Sequence, residues 1–199
     1  MTMFQIENLT WKDTNGWGFT SLAIALLPGE ALILKGANGA GKSTLLRILA
    51  GLIPSTIMIP PMLRHYLGHK LGLIENLTVE QNLKIFESLS EDNSKNNIIN
   101  LWQLEPLLKT KVRHLSQGQK RRVALSRLHF EKRPLWLLDE PMASLDHAMK
   151  DLFWEHLNVH LKSGGLAILA LHEEAQIECY PQILNLDVKA HDVFQTLAA

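Results

Sequence analysis

Gly36-Ala37-Asn38-Gly39-Ala40-Gly41-Lys42-Ser43 has the spacing G-x-x-x-x-G-K-[ST] of a phosphate-binding loop. The chemistry follows from the residue types. Glycines let the backbone curl until successive N–H groups face one point, which makes an anion cradle. Lys42 brings a positive charge to the outer phosphates, and the Ser43 hydroxyl suits Mg²⁺. Such a loop needs a strand before it and a helix after it, because the helix N-terminus adds its positive dipole end to the anion site. Ala31-Leu32-Ile33-Leu34 reads as a buried strand, and Thr44 to Ala50 reads as a helix. A glycine-rich turn that only caps a helix is the alternative; motif and context together favour phosphate.

Two further groups of residues could act on the same substrate. Asp139 and Glu140 follow the apolar run Leu135 to Leu138. A carboxylate at the end of a buried strand suits Mg²⁺ through water, and Glu140 could polarise an attacking water. Taken alone, an acidic pair after an apolar run marks a strand end; the upstream phosphate loop gives it a task. Leu115-Ser116-Gln117-Gly118-Gln119 precedes the helical stretch Lys120 to Phe130. Ser116 and Gln119 fit a capping box, and a capped N-terminus carrying Ser and Gly is also a second phosphate site. Both readings hold together.

The elements that must position these residues are legible in outline. Ser21 to Leu26 alternates loosely, as a half-buried strand does, and Pro28-Gly29 turns the chain into the strand before the loop. Leu52 to Lys70 is short and holds Pro54, Pro60 and Pro61, which leaves little room for a regular hairpin. Thr78-Val79-Glu80-Gln81 has capping-box spacing and opens a helix with Val79, Leu83 and Phe86 on one side. Ser90 to Asn97 reads as a polar loop, and Ile98, Ile99, Leu101 and Trp102 as part of another helix. Leu135 to Leu138 is a central parallel strand. Asp146 to Leu161 is helix-like, Ser163-Gly164-Gly165 ends it, and Leu166 to Leu171 is one more buried strand. The expectation is an α/β parallel-sheet core with a mainly helical insert between the phosphate loop and Val112.

Composition narrows the function class. In 199 residues, Lys+Arg and Asp+Glu both number 20, and the missing basic excess argues against a dedicated nucleic-acid binder. The single cysteine, Cys179, excludes an internal disulfide and fits a reducing compartment. The start of the chain lacks the basic residues and long apolar run of a signal peptide. The apolar run Leu166 to Leu171 is far short of the ~20 residues that span a bilayer, so a membrane role would come through a partner.

Motif order then identifies a family. Leu115 to Gln119 resembles the LSGGQ signature of ABC-type ATPases, with Gln117 at the first glycine. Asp139-Glu140 resembles their Walker B end, Ser144-Leu145-Asp146 their D-loop, and His172 their switch histidine. The resemblance implies a P-loop NTPase of the ABC type: a parallel-sheet core, an N-terminal antiparallel β-lobe that is shortened here, and a helical lobe over approximately 74–130, all in one nucleotide-binding domain. It implies ATP held by Gly36, Ala37, Asn38, Gly39, Ala40, Gly41, Lys42, Ser43 and Thr44, with Mg²⁺ at Ser43 and Asp139. It also implies a head-to-tail dimer of this chain with itself, in which Ser116, Gly118, Gln119 and Asp146 complete the partner's site. Glu140 and His172 are then the catalytic pair. An exposed histidine at a strand end is the plainer reading of His172.

Thr44 to Leu52, Tyr66-Leu67-Gly68-His69, Leu115 to Leu128 and Arg133 to Pro141 are further similar to the haem exporter ATP-binding subunit of cytochrome c maturation. That implies integral membrane permease subunits of that system as partners, no nucleic acid, and a peripheral position on the cytoplasmic face of the bacterial inner membrane. Three positions depart from the wider family. Lys70 stands where a Q-loop glutamine is expected, Asp13 stands where an aromatic stacks on adenine (with Trp11 or Trp17 as substitutes), and Leu52 to Tyr66 is short. Two other readings remain: another small exporter's ATPase, or an ATP-sensing module without turnover, for which Lys70 is the motive. A ribosome- or DNA-acting relative would carry two cassettes or a long coiled-coil insertion, and this chain has neither. His156 and His160, four apart on a helix, read as solvent-facing, and Lys120-Arg121-Arg122 as a solvated helix face.

Overall fold

Phe4, Ile6 and Leu9 point inward from β1 (Phe4–Lys12), and the three-residue step between Ile6 and Leu9 marks a bulge where Asn8 takes a left-handed φ of 55°. The computed structural model describes residues 3–14, 16, 18–88, 95–130 and 132–186. β1 pairs antiparallel with β2 (Gly18–Leu26), with Phe4 opposite Leu26, Ile6 opposite Ile24 and Trp11 opposite Phe19. The bulge breaks the two-residue alternation, which hides β1 from a periodicity reading.

The main sheet has five strands in the order β4-β5-β6-β3-β7. These are β3 (Ala31–Lys35), β4 (Arg64–Leu67), β5 (Leu135–Asp139), β6 (Leu166–Ala170) and β7 (Gln182–Asn185). β3 runs parallel to β6 and to β7, and β5 runs parallel to β6. β5 and β6 are buried at every position, as expected of strands covered on both faces. α1 (Lys42–Leu49) buries Leu45, Leu46, Ile48 and Leu49 against the same core as Leu32, Leu34, Leu137 and Ile168.

No strand forms between α1 and β4, in line with the shortened hairpin region. Arg64 secures that segment instead. Its Nη1 donates to the Leu49 carbonyl (2.5 Å), Nη2 to Pro60 (2.6 Å) and Nε to Met62 (2.9 Å). One planar guanidinium thus ties the end of α1 to the proline-containing strip. β7 had no clear sequence signal: four residues with one inward side chain, Leu184, are too few for a period to show.

The chain divides into two units. The first, residues 1–66, 134–139 and 158–199, holds the strands just described. The second comprises residues 67–133 and 140–157. It contains α2 (Val79–Glu87), α3 (Lys95–Leu101), α4 (Gln117–Phe130) and most of α5 (His147–Lys162). Thr78 caps α2 with both bonds of the capping box, 3.2 Å from Gln81 N to Thr78 Oγ1 and 2.9 Å from Thr78 N to Gln81 Oε1. The fully buried Asn82 amide bonds to both backbone groups of Ile74 and to the Thr78 carbonyl, which fixes the entry to α2. α2 and α3 pack on α4.

Three expectations are corrected. α3 begins at Lys95, so the polar loop expected to run to Asn97 ends earlier; residues 89–94 lie outside the described set. Lys120-Arg121-Arg122 is not a solvated face: Arg121 is buried, Lys120 pairs with Glu75 (3.2 Å), and Arg122 reaches the Trp102 carbonyl. Nor do His156 and His160 face solvent. His156 packs edge-on against His129 at 4.5 Å beside Trp102, and His160 stacks flat on Trp136 at 3.9 Å. Burial pushes both imidazoles below the ordinary histidine range; at His160, bonds to the Leu166 and Pro134 backbone oppose the shift, and at His156 the Glu155 carboxylate does. In both cases the other wall of the contact comes from a segment remote in sequence.

Candidate functional site: a nucleotide site at the sheet edge

The phosphate loop emerges from β3 and closes on the first turn of α1. Gly41 caps that helix with φ 95°, and Gly39 has φ 87°; a Cβ would strain both positions. The Lys42 side chain is buried, and its Nζ donates to the carbonyls of Gly36 (2.6 Å) and Ala37 (3.0 Å). Two of three ammonium donors therefore brace the loop, and the third is left for an anion. Ser43 and Thr44 lie in the first turn of α1, where backbone N–H groups have no intrahelical acceptor.

Strand register brings the other groups of this unit to the same edge. Ala170 of β6 lies opposite Leu34 of β3 on one side and opposite Asp139 of β5 on the other. The strands are parallel, so Gly36, Asp139 and His172 all leave the sheet at one end. β3 and β5 stand two strand spacings apart, about 10 Å. His172 follows two residues after Ala170, past the end of the strand between them, and is exposed. Asp139 is 2% exposed. Hydroxyl and carboxylate are hard oxygen donors, so the Ser43 and Asp139 pair fits Mg²⁺ by donor chemistry.

Tyr66 on β4, the strand beside β5, belongs near this edge as well. Burial and the Asp139 carboxylate push its phenol above the ordinary range, against a smaller opposing effect of Arg47. Sequence order gave no such signal, because β4 and β5 are far apart along the chain.

In the helical unit, Glu140 directly follows Asp139 and holds a left-handed φ of 49°. Non-glycine residues adopt that region at a cost, which marks a position fixed by its surroundings. Ser144, with φ 64°, closes the turn that follows. Asp146 caps α5, its Oδ1 accepting from Met149 N at 2.9 Å. Ser116 caps α4: Gln119 N donates to Ser116 Oγ (3.2 Å), and Ser116 N donates to Gln119 Oε1 (2.9 Å). The expected capping box is present, and the Ser116 O–H stays able to donate outward. A Cβ at Gly118 would run into the Ser144 carbonyl oxygen, so glycine lets the signature and the 140–145 turn meet backbone to backbone. Lys70 is exposed, as is His69. Trp11 packs on Phe19 with ring centroids 6.2 Å apart and lies against the core; Trp17 is outside the described residues. Among the described residues no helix is long and apolar enough to cross a membrane.

Comparison with known proteins identifies the family. The ABC transporter family profile matches residues 19–143. The cytochrome c biogenesis ATP-binding export protein CcmA of Rhizobium meliloti is 39% identical over 185 residues, covering 84% of this chain and 89% of the relative. The protein of the same name from Hyphomonas neptunium is 41% identical over 160 residues, covering 79% and 83%. A solved ATP-binding subunit of an ABC transporter superposes with a TM-score of 0.76 at 24% identity, over 86% of this chain and 80% of that one, a likeness of fold. The chain belongs to the ABC transporter family, as an ATP-binding subunit with ATPase activity.

Proposed function

We propose that this chain is the ATP-hydrolysing subunit of the haem exporter complex of c-type cytochrome biogenesis, held at the cytoplasmic face of the inner membrane by integral membrane permease subunits. The names carried by relatives at 39% and 41% identity motivate the partner assignment. In this reading residues 1–199 are one nucleotide-binding domain, with the helical lobe over approximately 74–130. Two copies bind two ATP molecules head to tail.

The observation that carries the chemistry is the strand register that brings Gly36, Asp139 and His172 to one sheet edge. The loop N–H groups and Lys42 bind the β- and γ-phosphates and balance charge that develops there. Ser43 and Asp139 would hold Mg²⁺, which supplies further neutralisation of the phosphate oxygens when bound. Glu140 accepts a hydrogen bond from water and aligns it with the γ-phosphorus; His172 bonds a γ-phosphate oxygen and holds the same water. The water oxygen bonds to phosphorus as the bridging oxygen leaves with ADP, and the water proton passes towards Glu140. Ser116 and Gly118 of the second copy reach the γ-phosphate from the opposite side, with Gln119 and Asp146 beside them.

The test is a Glu140→Gln chain expressed with an affinity tag in a bacterium that makes c-type cytochromes. The variant keeps shape but not charge, so ATP stays bound and the complex persists. Detergent-solubilised membranes should yield the cytochrome c maturation membrane subunits with the tagged chain, in greater amount with ATP. Recovery with a different set of permease subunits would replace the partner assignment. Wild-type turnover by Glu140→Gln would remove Glu140 from its role.

A further inference from the structure

We infer that Tyr66 is a positioning residue for Asp139, its phenol O–H holding the buried carboxylate in the orientation that a metal requires. The inference rests on the reading of Asp139 as a Mg²⁺-holding carboxylate given above. Sheet geometry brings the two side chains together. β4 lies beside β5, and neighbouring strands are about 4.8 Å apart. Leu135 and Leu137 of β5 belong to the core cluster that also holds Leu45, Leu46 and Leu49 of α1. Successive side chains of a strand alternate between faces, so Asp139 shares the face of Leu135 and Leu137. Tyr66 packs against the same cluster from β4. Both side chains therefore lie on the α1 side of the sheet, on adjacent strands.

β4 is itself fixed on that side. Arg64 stands two residues before Tyr66, on the same face, and its Nη1 donates to the Leu49 carbonyl at the end of α1. The strand that carries Tyr66 is thereby tied to the helix that carries Lys42 and Ser43. The two groups also act on each other. Burial first, and the Asp139 carboxylate second, favour the protonated phenol, while Arg47 on α1 opposes them. Such an effect of one charged group on another falls off with distance, so it places the phenol in the field of that carboxylate.

The chemistry of the pair is complementary. A phenol O–H donates, and an ionised carboxylate only accepts. Asp139 is 2% exposed, and a carboxylate withdrawn from water needs protein donors to fix it. An outer hydrogen bond of this kind orients a metal-holding carboxylate, and losing it weakens the metal about tenfold or more. Tyr66 acts through Asp139 and not on the phosphate loop, so nucleotide affinity without metal stays unchanged.

The experiment uses the full-length chain, a non-hydrolysable ATP analogue and Mn²⁺ as the probe metal. The chain has two tyrosines, and Tyr180 is fully exposed. Tyrosine-selective NMR of the metal-free chain thus gives one signal at the site and one internal control. Asp139→Asn should shift the Tyr66 signal and leave that of Tyr180 in place. Tyr66→Phe keeps the ring and loses the O–H. It should bind Mn²⁺ about tenfold more weakly by electron paramagnetic resonance, at constant metal-free affinity for the analogue. In the Asp139→Asn background the same substitution should cost nothing further, because the two residues act as a unit. A Tyr66 signal unmoved by Asp139→Asn overturns the inference, and that measurement keeps Tyr66 intact whether or not Tyr66→Phe folds. So does wild-type Mn²⁺ affinity in Tyr66→Phe when Asp139→Asn is impaired, or an equal loss in both backgrounds. Wild-type Mn²⁺ affinity in Asp139→Asn is a different result and removes the metal reading beneath it.

Discussion

Lys70 carries the most consequential single-residue departure. A glutamine at that point of the fold offers an amide oxygen to a cation, whereas a lysine offers three donors and a positive charge. The side chain is exposed, so its ammonium is free to stay in water rather than crowd a metal site. Under the proposed function, turnover would rest on Glu140 and His172, and a bound Mg²⁺ would lack the oxygen that a glutamine there could offer. Lys70→Gln should lower the Mg²⁺ concentration for half-maximal ATPase activity at fixed ATP, because it adds an oxygen donor in place of a positive charge. A magnesium titration of both proteins checks it, and identical midpoints would put Lys70 outside the metal's reach. Gly118 illustrates a different residue-scale rule. Its place in the signature is set as much by the Ser144 carbonyl that a Cβ would strike as by any phosphate.

At the scale of elements, two contacts do work that motifs do not announce. Arg64 binds three carbonyls around a strip that has no strand pairing of its own. Hydrogen bonds from a charged donor contribute about 1.5–3 kcal/mol, so Arg64→Ala should cost about 2 kcal/mol. That corresponds to a Tm lower by about 4–8 °C in a chain of this size. Thermal unfolding measures it, and Arg64→Lys should recover little, because an ammonium cannot reproduce the planar fork. The second contact is His160 on Trp136. Its folded imidazole titrates below the unfolded value of 6.5, so the folded chain binds fewer protons than the unfolded chain in that window. Its contribution is complete above pH 6.5 and declines as pH falls below it towards the folded value. Wild type should thus lose Tm between pH 7 and pH 5.5 more steeply than His160→Phe, which keeps the stack without the titration. Parallel Tm curves would show that burial at His160 is not coupled to stability.

For the whole molecule, the proposed function has one decisive consequence: one copy would hold half of each composite site. Lys42→Ala disables a phosphate loop, and Ser116→Arg blocks a signature without touching the loop of its own chain. Each variant alone should be inactive. In a one-to-one mixture half of the dimers are mixed, and each mixed dimer has one intact loop facing one intact signature. Independent sites would restore about a quarter of wild-type ATPase activity by this symmetry. A coupled assay on the mixture checks it, and a complete lack of recovery would argue that each site is built within one chain.

The sequence by itself determined which residues are candidates to touch phosphate and the local elements that carry them. A strand–loop–helix around Gly36 to Ser43 and capping boxes at Thr78 and Ser116 depend on neighbours within a few positions, and those are written in order along the chain. The tertiary structure alone decided everything that needs a remote wall. β7 is too short to show a period, and β1 loses its alternation at a bulge. The burial of Arg121, the stacking of His160, the charge of Asp139 at Tyr66 and the grip of Asn158 on Gln176 each join segments distant in sequence. Side-chain type states what a residue can offer; which groups surround it is settled by packing, where hydrophobic burial and strand register bring distant segments side by side.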